Sequence, residues 1–168
     1  MLRSRFSVLL ITGLIFVGGF FWISQWHGAD DTVTVIDSVP SIVVLPFENL
    51  SGDAGQEYLV DGVTDDLITG LARRSELLVI ARDSSFFYQS RNLGIDDIAK
   101  QLNIRFILRG SVRRLGERTT VNVQLIDTVA GRHVWAENYD VPVRDLPILH
   151  EDVTRNIMSV LNVGSSAR

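Results

Sequence analysis

Apolar and polar residues follow three different rhythms along this chain. Residues 6–26, FSVLLITGLIFVGGFFWISQW, hold no charged side chain. Wound as an α-helix, a run of this length rises about 30 Å, which matches the hydrocarbon core of a bilayer. Backbone groups in lipid are satisfied only within a helix, so a transmembrane helix is predicted in spite of Gly13, Gly18 and Gly19. Trp22 and Trp26 end the run, where amphipathic rings prefer the membrane interface. The competing reading is a cleavable signal peptide, whose apolar region runs about 7–15 residues and ends in small residues. Here bulky Phe20, Phe21, Trp22 and Trp26 occupy that place. Arg3 and Arg5 precede the span and Asp30 and Asp31 follow it, which predicts a cytoplasmic N-terminus and an extracytoplasmic remainder.

Beyond a polar linker at 27–39 the rhythm changes. SIVVLPF at 41–47 is a continuous apolar run closed by Pro46, as in a strand buried on both faces. Residues 57–74 switch to a helical period, with Val60, Val63, Leu67, Ile68 and Leu71 on one stripe. Asp61, Asp65 and Asp66 lie toward its N-terminal half and Arg73 and Arg74 in its last turn, the charge order a helix dipole favours. Leu77–Ala81 predicts another strand, and strand–helix–strand makes the two strands parallel. DSSFFYQSR at 83–91 predicts a short helical turn, and Ile95, Ile98, Ala99 and Leu102 mark a second helix. Residues 104–114 and 118–128 form a predicted hairpin across Leu115-Gly116-Glu117. In the latter, Val121, Val123 and Leu125 alternate with Asn122 and Gln124, so one face of the sheet should be wet. Residues 132–140 add a last strand with Val134 and Trp135, and Leu149, Val153, Ile157, Val160 and Leu161 a closing helix. The predicted fold class is α/β, an α+β mixed sheet in the order β-α-β-α-β-β-β-α. One transmembrane helix precedes it, so the division is 1–5 cytoplasmic, 6–26 anchor, 27–39 linker, 40–162 folded domain and 163–168 disordered tail.

Charge and composition narrow the function. The chain has 168 residues, 16 Lys+Arg and 20 Asp+Glu, and 46% of it is hydrophobic, so neither disorder nor a fibre is suggested. Arg3 and Arg5 lie before the anchor, which leaves the remainder at −6. Such a domain repels phosphate backbones, and nucleic acid is not an expected partner. No cysteine is present, which removes disulfides, thiolate metal sites and Cys nucleophiles.

Four stretches, in order, carry a resemblance. PSIVVLPFENLSGD, EYLVDGVTDDLITGLAR, VIARDSSFFYQ and LRGSVRRLGERTTVNVQLIDTVAGRHVWAENYD together resemble the TolB amino-terminal-like domain family over residues 40–162. That module is found beside class III adenylate cyclase domains, winged-helix regulators and tetratricopeptide arrays in proteobacteria. Ala54-Gly55, Asp83, Arg109 and Pro147 depart from its usual pattern, at surface and loop positions. The resemblance implies a mixed α/β sandwich with no catalytic activity of its own.

The candidate chemistry is sparse. Glu48, Asp53, Asp61, Asp65 and Asp66 crowd one passage, and Asp61 and Asp65 could share a cation. Asp66, however, is turned about 100° from Asp65, and no phosphate-cradling glycine loop follows. Capping and solvation are the reading this spacing favours. His27, His133 and His150 lack the i, i+3 or i, i+4 partner of a metal pair, and Ser84-Ser85 lack the glycines of a nucleophile elbow. Arg105, Arg109 and Arg113 project from one face of a strand. They either bind an anion or acidic partner strand, or pair with Glu117, Glu137 or Asp127 across the sheet, and pairing is favoured. Two neighbouring Phe cannot both point inward, so one of Phe86 and Phe87 should be half exposed. The candidate interaction surface is Arg105, Arg109, Arg113, Phe87 and Tyr88, with Trp22 and Trp26 at the membrane. No catalytic residue, metal or cofactor is expected.

The functional expectation is a non-enzymatic interaction or sensing module of the bacterial envelope. It would be anchored in the inner membrane by 6–26, with its domain in the periplasm and an envelope or signalling protein as partner. The alternatives are an accessory or truncated part of a signalling system such as a class III adenylate cyclase, and a small-ligand or nucleotide-binding domain near Glu48–Asp53.

Overall fold

The structure, a computed structural model, describes residues 39–91 and 93–165, with side chains as far as Leu161. The predicted anchor at 6–26, with Trp22 and Trp26, lies outside the described residues, and so does the linker up to residue 38. Among the described residues no helix is long and apolar enough to cross a membrane.

Among the described residues six strands and four α-helices follow one another: β1 (Ser41–Val44), β2 (Glu48–Asn49), α1 (Glu57–Ala72), β3 (Leu78–Val79), α2 (Arg82–Ser90), α3 (Ile95–Leu102), β4 (Phe106–Leu115), β5 (Arg118–Asp127), β6 (Arg132–Pro142) and α4 (Leu146–Ser165). The sheet runs β3-β1-β4-β5-β6, with β2 also paired to β4. β1 is parallel to β3, as the strand–helix–strand pattern predicts, and also to β4, while β4, β5 and β6 form an antiparallel meander. Three details were not in the sequence pattern, the first being the short strand β2. The predicted turn at 83–91 is a full helix, α2. The closing helix continues to Ser165, into the expected tail, because its last turn is held by backbone bonds and needs no apolar stripe.

β1 lies between β3 and β4, and Ile42, Val43 and Val44 are wholly buried. Ile42 and Val44 face a large core beneath α1 and α4, whereas Val43 and Leu45 face a smaller one with Ile98, Ile104, Ile107 and Ile126. A strand buried on both faces has no room for alternation, which explains the unbroken SIVV run.

The strand is interrupted after Val44 and resumes as β2, still along β4 with Glu48 opposite Ser111. Leu45 N–H reaches the Leu108 carbonyl at 2.8 Å and Leu50 N–H the Val112 carbonyl at 2.8 Å. Between them the Phe47 N–H leaves the sheet and donates to Thr64 Oγ1 of α1 at 3.1 Å, while that hydroxyl donates to the Val60 carbonyl at 3.1 Å. The Phe47 ring lies over Gly110, where a Cβ would stand 2.3 Å from its Cε1 and 2.2 Å from the Asn122 carbonyl oxygen. Only glycine leaves space for that ring and that strand together.

Val134 and Trp135 both pack against the large core although they are consecutive. A register shift between Leu125 and Ile126, opposite Trp135 and His133, supplies the extra residue that allows it.

Gly110→Ala is expected to cost about 3 kcal/mol, the upper part of the overpacking range, because the Asn122 oxygen belongs to the backbone and cannot yield. Thr64→Val strands the buried Phe47 N–H and is expected to cost about 1–3 kcal/mol. Urea unfolding curves of the two variants check both values.

Candidate functional site

The two faces of the sheet are covered unequally. α1 and α4, of 16 and 20 residues, run across one face. α2 and α3, of 9 and 8 residues, cover the other face only over β1 and the start of β4. The strands record the difference. Phe106, Ile107 and Leu108 are all buried, and from Arg109 to Leu115 only Val112 is. β5 mirrors this, alternating through Gln124 before buried Leu125, Ile126 and Asp127.

The uncovered half is a polar floor. Arg109 lies opposite Gln124, Ser111 opposite Asn122 and Arg113 opposite Thr120. Asn122 and Asn138, and Thr120 and Asp140, continue these rows onto β6. Where the helical layer stops, Gln89, Leu93, Ile95 and Ile98 form a wall above Glu48, Arg109 and Gly110, enclosing about 220 Å³. The hollow continues over Ser111, Asn122 and Gln124. Arg109 donates to Glu48 Oε1 at 3.3 Å, with both side chains about half exposed. Asn122 Nδ2 donates to Ser111 Oγ at 3.3 Å. This is an array of donors and acceptors around one exchangeable, solvent-screened ion pair, suited to recognising a carboxylate or a row of peptide groups.

The predicted arginine face divides. Arg105 donates to Asp127 Oδ2 at 3.3 Å, and Asp127 Oδ1 accepts from Val129 N and Ala130 N, so this pair locks the β5–β6 turn. That is one of the cross-strand pairings expected. Arg109 instead finds Glu48 on β2, because Glu137 points to the helical face. Arg113 is exposed and forms no ion pair among the described residues. Phe87 is the half-exposed one of the phenylalanine pair, at 49%. Arg91 lies over its ring at 4.3 Å, and Tyr88 meets it edge-on at 5.4 Å. Tyr88 packs on the smaller core, and neither residue lines the groove.

The crowded carboxylates scatter to separate duties. Glu48 pairs with Arg109, Asp53 accepts from Gly55 N at 2.8 Å, Asp65 pairs with Arg82, and Asp61 and Asp66 form no ion pair among the described residues. No group of three metal-ligating side chains occurs among the described residues.

Sequence reasoning missed a polar cluster on the opposite face. Tyr139 donates to Glu137 Oε2 at 2.9 Å, and Asn156 Nδ2 of α4 reaches both, each at 3.1 Å. Burial pushes the Tyr139 phenol up to about 12; the Asn156 bond opposes this and Glu137 adds to it. Glu137 and Tyr139 are two positions apart on β6 and so share a face, but nothing in the pattern pointed to Asn156. At the sheet's far end Arg118 and Asp140 form an exposed pair at 2.8 Å. Their mutual hydrogen bond raises the guanidinium's pKa and holds the carboxyl below its ordinary range.

The fold defines a mixed-sheet α/β domain with one face closed by two long helices and the other half open. It is shared with part of TolB from Acinetobacter baumannii, at a TM-score of 0.57 and 19% identity, over 74% of this chain and 29% of that one. It is also shared with a lipoprotein from Neisseria meningitidis, at 0.51 and 16%, over 61% of this chain and 79% of that one. In sequence, the chain is 46% identical over 128 residues to a Rhizobium meliloti protein named as an adenylate cyclase. That match covers 76% of this chain but 22% of the relative, so the chain spans about a fifth of that relative's length. No family model matches.

The raised Tyr139 pKa gives a pH signature. The folded state holds the phenolic proton more tightly than the unfolded chain, whose value is near 10. The associated stability is therefore complete below that value and is lost as pH rises toward about 12. Ultraviolet titration is expected to show one tyrosine ionising near pH 12, and Tyr139→Phe should remove it and flatten the alkaline fall in stability.

Proposed function

We propose that this chain is a non-enzymatic docking module of the bacterial envelope, which binds a protein partner on the open half of its sheet. The carrying observation is the polar floor of Arg109, Ser111, Asn122 and Gln124, left bare beside the wall of α2 and α3. A bare floor with unspent donors suits an acidic or extended segment of a partner. Anchoring through 6–26 places the domain at the periplasmic face of the inner membrane, where confinement raises its effective concentration for neighbouring proteins. The likeness of fold to a protein named as a lipoprotein supports a place beside a membrane.

A second reading, as an accessory of a cyclase signalling system, is favoured by the relative named as an adenylate cyclase. In that reading this domain serves the same docking role, with its partner a signalling enzyme supplied on another chain.

A photo-crosslinking residue placed at Ser111 in the full chain is expected to capture one defined protein in intact cells. Arg109→Ala with Arg113→Ala should weaken capture by roughly 10- to 150-fold, the value of one charge-assisted hydrogen bond. Unchanged capture would remove the sheet face from the proposal, and the identity of the captured protein separates the two readings. A reporter active only outside the cytoplasm, fused after residue 168, should be active if the domain is periplasmic.

A further inference from the structure

A second concave surface lies on the other side of the sheet, where the end of α1 meets α4. It encloses about 360 Å³. Its floor is shaped by Gly70, whose missing side chain lets α4 approach: a Cβ there would stand 2.9 Å from Thr154 Oγ1 and 3.2 Å from His150 Cδ2. His150 and Thr154 also line it, and their buried atoms His150 Nδ1 and Thr154 Oγ1 have no hydrogen-bond partner among the described residues; Thr154 is 1% exposed. Three arginines line it, Arg73, Arg74 and Arg155. Arg73 and Arg74 are exposed and form no ion pair among the described residues, and Arg155 holds only an exposed Asp152 one turn away on its own helix.

Basic residues at a helix C-terminus complement its dipole, which alone accounts for the sign of Arg73 and Arg74. It does not account for Arg155 on another helix, nor for two polar atoms left unpaired at the same spot. Such atoms are normally satisfied, and each needs a reason. In a chain of net charge −4, three arginines around one cleft form a local positive field.

We propose that this cleft binds a phosphoryl group, borne by a soluble molecule or by a lipid headgroup. Planar guanidiniums give paired hydrogen bonds to phosphoryl oxygens, and several of them need more acceptor oxygens than one carboxylate offers. The Thr154 hydroxyl donates to a further oxygen, and His150 does so as its Nδ1–H tautomer. Glu151, also on the rim, opposes the anion and limits its affinity. The site is independent of the sheet-face docking proposal and uses none of its residues.

The test uses the full chain in zwitterionic detergent micelles, with inorganic phosphate followed through the amide NMR signals of Gly70, His150 and Thr154. Saturable shifts are expected. Arg73→Ala with Arg74→Ala should weaken binding at least about tenfold. Glu151→Gln should tighten it severalfold, a gain that misfolding cannot mimic, and Arg109→Ala should leave it unchanged. A second arm measures the chain's binding to vesicles of phosphatidylcholine with and without phosphatidic acid. Phosphate binding that depends on Arg73 and Arg74 supports a soluble ligand. Dependence seen only on phosphatidic acid supports a lipid. Phosphate shifts that never saturate together with vesicle binding indifferent to phosphatidic acid, or affinities that ignore both the arginines and Glu151 in both arms, overturn the proposal.

Discussion

The Phe47 ring rests on the bare backbone of Gly110, and the rest of the open surface follows from that contact. To reach it, the strand beginning at Ser41 must leave the sheet for three residues. Pro46 brings no N–H to that gap, and the Phe47 N–H is taken up by the Thr64 hydroxyl of α1. The strand then rejoins β4 with Glu48 opposite Ser111, which sets the Glu48 carboxylate beside Arg109. One aromatic–glycine contact therefore fixes the seam between sheet and helix and the ion pair at the groove's edge. Either larger residues at 110 or a lost hydroxyl at 64 disturbs both.

Unequal helix lengths do the rest. An α-helix rises about 1.5 Å per residue, so α1 and α4 span a whole sheet face while α2 and α3 span a fraction of one. Apolar side chains stay where a helix shields them, and the strands turn amphipathic where none does. The change within β4, from Phe106-Ile107-Leu108 to Arg109-Gly110-Ser111, is the molecular edge of that shield. A floor made this way is polar because water, or a partner, must satisfy it.

Much of this was readable from side-chain spacing. The unbroken SIVV, the stripe through Val60, Val63 and Leu67, and the alternation from Val121 to Leu125 gave the buried strand, the long helix and the wet sheet face. The features that escaped depend on partners distant in sequence. β2 exists because β4 offers two more places for pairing, which no local pattern in Glu48-Asn49 announces. α2 has little apolar periodicity of its own, and its helix is secured by packing, with Ser85 fully buried. The arginines were correctly placed on one face, but their separate fates, in a turn lock, a groove-edge pair and an unpaired rim, depend on Asp127 and Glu48, which lie 22 and 61 positions from Arg105 and Arg109.

α1 links the two concave surfaces. Thr64 holds Phe47, and with it the groove edge, while Gly70 lies six residues further along the same helix, roughly 9 Å away, against His150 and Thr154. Both positions are buried and both admit only small or matched side chains, because on either side the helix is pressed against backbone or polar groups. Their burial is what an ordinary amphipathic stripe would assign to Leu or Ala. Finding instead a hydroxyl that serves another chain segment, and a glycine that admits another helix, shows where close approach has been kept in place of maximal apolar burial. Thr64 and Gly70 set the height of α1 above the sheet and against α4, so the geometry of groove and cleft alike is fixed by contacts that hydrophobic patterning alone would have filled with carbon.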